Sequence, residues 1–399
     1  MSDVSGAITY PKGFLASGVS AGIKQQGEDI ALVVSQSPAA SAGLFTTNVV
    51  KAASVLVSRE RIGRTTTRAV VANSGNANAC TGERGLRDAR DMAAEAAGLL
   101  GVSEEDVLIA STGIIGRPMP LDKVKDGIAE AVQALRTDGG ADAASAIMTT
   151  DTCPKEAAIE VSLGGAKVRI GGMAKGSGMI CPDVATMLVF VTTDAAISPE
   201  LLQISLMRSA EVSFNCLTVD GDSSTNDSVI ALANGMAGNR IIGSEGADFD
   251  AFQKGLDIVT TSLAKQIAAD GEGATKMIEI TVRGAQSFDD ARCIAKTVAN
   301  SALVKTAMFG CDPNWGRVLA AAGRAGVDFD PYTVNLAFGT VPLVIKGEPI
   351  DFAEDEMHEV LSASEVAVIL EVGNGPGDAT VWTCDFSYDY VRINAEYHT

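Results

Sequence analysis

Lys175-Gly-Ser-Gly-Met-Ile-Cys-Pro-Asp-Val-Ala-Thr186-Met-Leu-Val-Phe-Val191 is the stretch whose reading decides this chain. A glycine-rich loop and a proline lead into a continuous apolar run, typical of a strand buried on both faces. A threonine opening such a run is ordinarily a β-branched residue that suits strands. The rest of the sequence gives Thr186 a second reading. Among 399 residues there are only two histidines, so a three-histidine metal site is impossible and a Ser-His-Asp arrangement would have to use His358 or His398. An N-terminal threonine carries its own base, because an α-amino group has a reference pKa of about 7.7–8.0, and its hydroxyl is then activated without histidine. To obtain that amine internally the chain must cut itself. Thr186 Oγ attacks the carbonyl of Ala185, a small residue that leaves the carbonyl accessible, and the ester that forms is hydrolysed.

Around this segment the pattern is mixed. Residues 158–163 and 166–170 flank Gly164-Gly165, a two-residue hairpin signal, and Gly171-Gly-Met-Ala-Lys-Gly-Ser-Gly178 after them reads as a glycine-rich loop. Residues 69–72, 107–110, 277–282, 334–338, 366–372 and 380–393 read as strands. Helical periodicity marks residues 86–100, the series Val124, Ile128, Val132, Leu135, and the stripe Phe249, Phe252, Leu256, Val259, Leu263, Ile267. Ser103-Glu-Glu-Asp106 resembles a helix start, and Pro199 after Ser198 fits the first turn of a helix. Several hairpins among helices point to α/β or α+β layers rather than a regular doubly wound fold.

The composition narrows the function. With 31 Lys+Arg against 50 Asp+Glu, the net charge is −19, which argues against nucleic acid and disfavours anionic membranes. No run approaches the roughly 18 apolar residues of a membrane span. Seven scattered cysteines, with no CxxC pair, fit a reducing cytoplasm better than a disulfide framework or zinc ribbon. The first residues lack the basic and apolar regions of a secretory signal. A soluble, cytoplasmic protein is expected.

Other motifs have plainer explanations. There is no GxxxxGK[ST] loop, and Gly373-Asn-Gly-Pro-Gly377 reads as a turn between strands. Asp220-Gly-Asp-Ser-Ser-Thr-Asn-Asp227 is rich in oxygen ligands but has Ala231 where an EF-hand places its bidentate Glu. It reads as a hydrogen-bonded turn before a helix over 228–233. Ser111-Thr-Gly-Ile-Ile-Gly116 is a strand-exit turn that, functionally, offers the Thr112 hydroxyl and Gly113 N–H to a developing oxyanion. Cys181 suggests a thiol nucleophile, but neither a CxxC pair nor a positioned histidine accompanies it.

With these pieces in place the sequence resembles the bifunctional arginine-biosynthesis family of ornithine acetyltransferase / glutamate N-acetyltransferase. The resemblance covers essentially the whole chain. Besides Ser111–Gly116, Lys175–Met179 and Ala185-Thr-Met-Leu188, it rests on Asn73-Ser-Gly-Asn-Ala-Asn78, Met148-Thr-Thr-Asp-Thr152, Gly271-Glu-Gly-Ala-Thr-Lys276, Asp312-Pro-Asn-Trp-Gly-Arg317 and Trp382-Thr-Cys-Asp385. One departure is Cys181-Pro-Asp183-Val184, where Ala-Pro-Asn-Met or His-Pro-Asn-Met is expected; Asp183 there could tune the cleavage rate.

The resemblance implies sheets sandwiched by helices in an N-terminal-nucleophile-like αββα arrangement, with a second, smaller α/β domain. It implies cleavage between Ala185 and Thr186 into an α chain, 1–185, and a β chain, 186–399, assembled two of each. It makes Thr186 the nucleophile, Thr112 and Gly113 the oxyanion hole, and Thr152, Lys175, Thr186, Glu272, Asn394 and Thr399 the substrate contacts. The implied reaction is ping-pong: acetyl passes from N-acetylornithine to Thr186, then to glutamate. It requires no metal or organic cofactor, and acetyl-CoA is a second acetyl donor. The alternatives are a self-cleaving N-terminal-nucleophile aminopeptidase or amidase, with water as acceptor, and a non-catalytic acidic scaffold.

Overall fold

The computed structural model describes residues 6–63, 66–181 and 187–396. Asp183, Ala185, Thr186, His398 and Thr399 lie outside the described residues. The chain runs through β1 (Phe14–Val19), β2 (Ile30–Phe45), α1 (Ala53–Arg61), β3 (Thr67–Asn73), α2 (Gly82–Leu100), β4 (Val107–Ser111), α3 (Leu121–Gln133), α4 (Gly140–Ala146), β5 (Lys155–Leu163), β6 (Ala166–Lys175) and β7 (Leu188–Thr193). It continues through α5 (Pro199–Val212), β8 (Ser228–Ala233), α6 (Ala247–Ala269), β9 (Met277–Ala285), α7 (Phe288–Ala299), α8 (Ala302–Phe309), α9 (Trp315–Gly323), β10 (Asn335–Phe338), β11 (Val341–Ile345), β12 (Glu348–Pro349), α10 (Glu354–Ser362), β13 (Glu365–Glu371), β14 (Gly377–Cys384) and α11 (Tyr388–Glu396).

The 16-residue β2 is the spine of the larger sheet. Its first half pairs with β1 on one side and β3 on the other, and β4 adds to β3 in parallel. Its second half pairs with β8, after which come β7, β6 and β5. Side-chain alternation then sets the layers. Ile30, Leu32 and Val34 join Met92 of α2 and Ile128 of α3, whereas Ala31 and Val33 join Leu188, Phe190, Ile230 and Leu232 from β7 and β8. The opposite faces of β7 and β8, with Val189, Val191, Val229 and Ala231, share a core with Leu202 and Leu206 of α5 and Leu256 and Leu263 of α6. The sheet therefore folds over through the long β2, its two halves face to face, giving helix, sheet, sheet, helix.

A smaller mixed sheet, ordered β12-β11-β10-β13-β9-β14, follows α6. Ile278, Ile280 and Val282 of β9 and Val381 of β14 share its core with Ile294 and Val298 of α7. No helix among the described residues is long and apolar enough to cross a membrane.

The structure corrects four local expectations. Residues 228–233 are strand β8, not a helix: Ser-Val-Ile-Ala-Leu-Ala is buried on both faces between β2 and β7, where β-branched residues fit well. Gly171–Lys175, expected as loop, completes β6, because β5 and β7 supply its backbone partners on both edges. The strand expected to reach residue 393 ends at Cys384, and α11 begins after Ser387, whose hydroxyl accepts the Asp389 N–H. The helix start at Ser103 leads only into a single 3-10 turn, Glu104–Asp106, before β4. The glycine hairpin is present, with Gly164 and Gly165 at φ +56° and +88°, and so is α6.

Candidate active site

The site lies where strand ends of the folded sheet meet the loop after α6. β4 ends at Ser111, and the chain turns sharply at Thr112-Gly113. The turn is fixed by Thr112 N–H donating to the Asn73 carbonyl at 3.0 Å and Ala77 N–H donating to the Ile114 carbonyl at 3.0 Å. Asn73 Nδ2 donates to the Asn76 carbonyl, and Asn76 Nδ2 to the Arg117 and Pro118 carbonyls, so the Asn73–Asn78 motif is the scaffold beneath this turn. Gly113 sits at φ +127°, and a Cβ there would lie 2.4 Å from the Gly75 carbonyl carbon. No other residue fits. Among the described residues neither the Gly113 N–H nor the Thr112 hydroxyl has a partner, and both line a cleft that opens to solvent. Two unengaged donors side by side are what a developing oxyanion needs.

Lys175 closes β6 opposite Leu188, the second residue after Thr186. Its ammonium is buried, donates to Thr149 Oγ1 at 2.7 Å and lies 3.8 Å from Asp151 Oδ2. Burial pushes its pKa below the ordinary lysine value, and Asp151 is the chief opposing influence. Asp151 also binds Lys155 at 2.7 Å and accepts the Gly176 N–H at 2.6 Å, and Lys155 reaches Asp270 at 2.5 Å. Burial alone would raise the Asp151 pKa, but Lys175 and then Lys155 outweigh it and hold the carboxyl well below the usual range. A chain of alternating buried charges thus fixes the floor of the cleft.

The outer wall is different in kind. Glu272 follows α6, its N–H donating to the Ser177 carbonyl at 2.7 Å. Its carboxylate lies over Gly178, where a Cβ would come within 2.4 Å of Glu272 Cδ. Asn394, from the exposed α11, donates to Glu272 Oε2 at 2.8 Å. Asp385 anchors this region by accepting the N–H groups of Thr275 and Lys276 at 2.8 and 3.0 Å. That contact is how Gly271–Lys276 and Trp382–Asp385, distant in sequence, come together.

The same cleft is therefore lined by Thr112, Gly113, Lys175, Glu272 and Asn394. A profile of the ArgJ family matches residues 15–399. The arginine biosynthesis bifunctional protein ArgJ of Symbiobacterium thermophilum is 53% identical over 99% of both chains. The chain belongs to the ArgJ family.

Two crystal structures are also similar. One is an arginine biosynthesis bifunctional protein ArgJ from Bacillus halodurans, 44% identical, with TM-score 0.51, covering 52% of this chain and 98% of that one. The other is an ornithine acetyltransferase complexed with ornithine from Mycobacterium tuberculosis, 39% identical, with TM-score 0.40, covering 44% of this chain and 95% of that one. Membership of the ArgJ family removes the reading as a non-catalytic scaffold.

Not every residue expected at the site in this ArgJ-family chain lines the cleft. Thr152 is exposed, and its N–H donates to Asp270 Oδ2 at 3.0 Å, on the far side of the buried charge chain. Conversely, Thr149, Thr150, Ser224, Thr225 and Asn226 line the cleft without having been singled out. Thr149 and Thr150 stand in the same motif as Thr152, and the spacing gave no sign of which would face inward. Asp220 is the turn former expected, accepting the Met179 and Ile180 N–H groups at 2.6 and 2.9 Å. Burial raises the Cys181 pKa, which weighs against a thiolate there. His358 is exposed on α10 and does not line the cleft.

Proposed function

We propose that the cleft transfers an acetyl group from N-acetylornithine to glutamate in arginine biosynthesis, through an acetyl ester on Thr186, after self-cleavage of the Ala185–Thr186 bond. The observation that carries this reading is the convergence of two unengaged oxyanion donors, a buried lysine and an outer carboxylate around the start of β7.

Thr186 Oγ attacks the acetyl carbonyl and its proton passes to the Thr186 α-amine. The tetrahedral oxyanion is held by the Thr112 hydroxyl and Gly113 N–H. As the C–N bond breaks, the proton moves to the departing ornithine α-amine. Glutamate's α-amine then attacks the ester and the steps run in reverse, regenerating Thr186. Lys175 pairs with the α-carboxylate that both amino acids carry, and Glu272 with the ornithine side-chain ammonium; such charge-assisted contacts set orientation. Asn394 and Thr399 complete the expected substrate contacts, whereas Thr152, bonded to Asp270 outside the cleft, is left out of this scheme. No residue role here calls for a metal or organic cofactor, and acetyl-CoA serves as a second donor. Two α and two β chains in the cytoplasm make up the enzyme.

The test is denaturing mass spectrometry combined with an acetyl-transfer assay. Two chains, N-acetylglutamate formed from acetylornithine, and loss of both in Thr186→Ala are expected. A single 41.0 kDa chain in active protein would overturn the mechanism. Acetate released at the same rate with and without glutamate would favour the amidase reading.

A further inference from the structure

Asn226 and Asp227 have no part in the scheme above, yet they join the two halves of the site. Asn226 Nδ2 donates to the Ala77 carbonyl at 2.6 Å and to the carbonyl of Ser111, the residue before Thr112, at 2.7 Å. Thr225 Oγ1 donates to Asn226 Oδ1 at 2.5 Å, which fixes the amide's orientation. The next residue, Asp227, accepts the N–H of Met187, the residue after Thr186, on Oδ1 at 2.9 Å. One dipeptide thus holds the oxyanion turn with one side chain and the start of β7 with the other.

Asp227 has a second peculiarity. The residue is 1% exposed, and among the described residues Oδ2 has no hydrogen-bond partner. Buried polar atoms are nearly always paired, so an orphaned carboxylate oxygen calls for an explanation. Lys175, at the end of β6, is the charged group whose field reaches it; the Met187 N–H, the Thr46 hydroxyl and the Ser224 N–H face the carboxyl as neutral donors and oppose the effect of burial without offsetting it. Burial accordingly pushes the Asp227 pKa well above the usual carboxylate value. The carboxyl is short of a cation.

We propose that Asp227 is the positioning residue for the Thr186 α-amine, with Oδ1 holding the Met187 amide and Oδ2 accepting from the ammonium that cleavage creates. The inference rests on the self-cleavage reading. Before cleavage the Thr186 nitrogen is a neutral amide with one hydrogen. Afterwards it is an amine that can carry three hydrogens and a positive charge. It belongs to the residue adjoining Met187, and adjacent Cα atoms are about 3.8 Å apart. A carboxylate already bonded to the Met187 amide is therefore within reach of it.

The test is the pH dependence of kcat/KM in wild type and Asp227→Asn, whose acid limb reports the Thr186 amine. An opposite charge within ~4–6 Å favours the charged form by roughly 1–3 pKa units, so removing it lowers the amine pKa. The acid limb of Asp227→Asn is expected to move about one unit or more to lower pH. A limb at the same pH with reduced amplitude would make Asp227 merely structural and overturn the proposal. If the variant fails to fold or cleave, the amine of the wild-type enzyme is titrated directly by NMR after isotopic reductive methylation. A pKa above the reference ~7.7–8.0 is expected, and one at or below that range overturns the proposal. Mass spectrometry separates the two failures: an intact chain in wild type sinks the cleavage reading, whereas two chains with an unmoved limb sink only the role of Asp227.

Discussion

The inner and outer walls of the cleft are built on opposite principles. Thr112, Lys175 and Asn226 are buried at strand ends or in turns of the folded sheet, and the loops that carry them are cross-braced. Glu272 is half-buried and Asn394 exposed, and one side-chain hydrogen bond of 2.8 Å joins them. The chemistry explains the contrast. An oxyanion hole is useful only if its donors need no reorganisation as charge develops. In the reaction proposed above, the outer wall meets a cationic ornithine side chain in one half-reaction and an anionic glutamate side chain in the other. A rigid carboxylate there would reject the second substrate.

If the inner wall is the preorganised one, damage to it should appear in kcat. Replacing Thr112 by Val removes one oxyanion donor and is expected to cut kcat by on the order of 10²–10³, with KM changed little. Gly113→Ala should do at least as much and also lower Tm, because its Cβ would overlap the Gly75 backbone. A modest fall in kcat for Thr112→Val would mean that its hydroxyl faces the cleft without serving the oxyanion.

Lys175→Met comes next. Loss of a hydrogen bond to a charged group is worth about 1.5–3 kcal/mol, so KM for both acetylornithine and glutamate should rise roughly 10- to 100-fold. The same variant tests the buried charge chain. Asp151 has a folded pKa below its unfolded value, so its contribution to stability is present above the ordinary carboxylate pKa of about 3.9 and is lost as pH falls towards the folded value. Without Lys175 the folded pKa moves up, and acid unfolding followed by circular dichroism should begin at higher pH than in wild type. Coincident acid transitions would show that Lys155 alone sustains Asp151.

The outer wall should respond asymmetrically. Glu272→Gln is expected to raise KM for acetylornithine about tenfold, consistent with loss of a partly exposed charge-assisted contact, while KM for glutamate stays level or falls. Asn394→Ala, which frees the Glu272 carboxylate, should cost only about two- to fivefold. Equal losses for both substrates in Glu272→Gln would place this residue in folding rather than recognition.

The two walls were also unequally legible in the sequence. Thr112, Gly113, Lys175, Glu272 and Asn394 stand in motifs or a resemblance that could be quoted, and the layered fold followed from periodicity around β5, β6 and α6. Asp227 stood in plain view inside an acidic turn, but the reason for its carboxylate is a contact with Met187, 40 residues away. Nothing in local spacing shows that. The strand at Ser228–Ala233 was misread for a related reason: six residues buried on both faces have no alternation to distinguish strand from helix.

Thr152 separates motif from geometry most sharply, and the expected effect is the smallest. It shares a motif with Thr149 and Thr150, which line the cleft, but its own hydroxyl bonds to Asp270. Asp270 keeps its contact with Lys155 when that hydroxyl is removed. Thr152→Ala should therefore leave KM for both substrates within about twofold, since a single exposed hydrogen bond contributes little net free energy. A tenfold rise in KM, with Tm unchanged, would show that bound substrate reaches Thr152 directly. The buried Lys175–Asp151–Lys155–Asp270 chain would then have substrate contacts at both ends, and the inner wall would extend well beyond the cleft described.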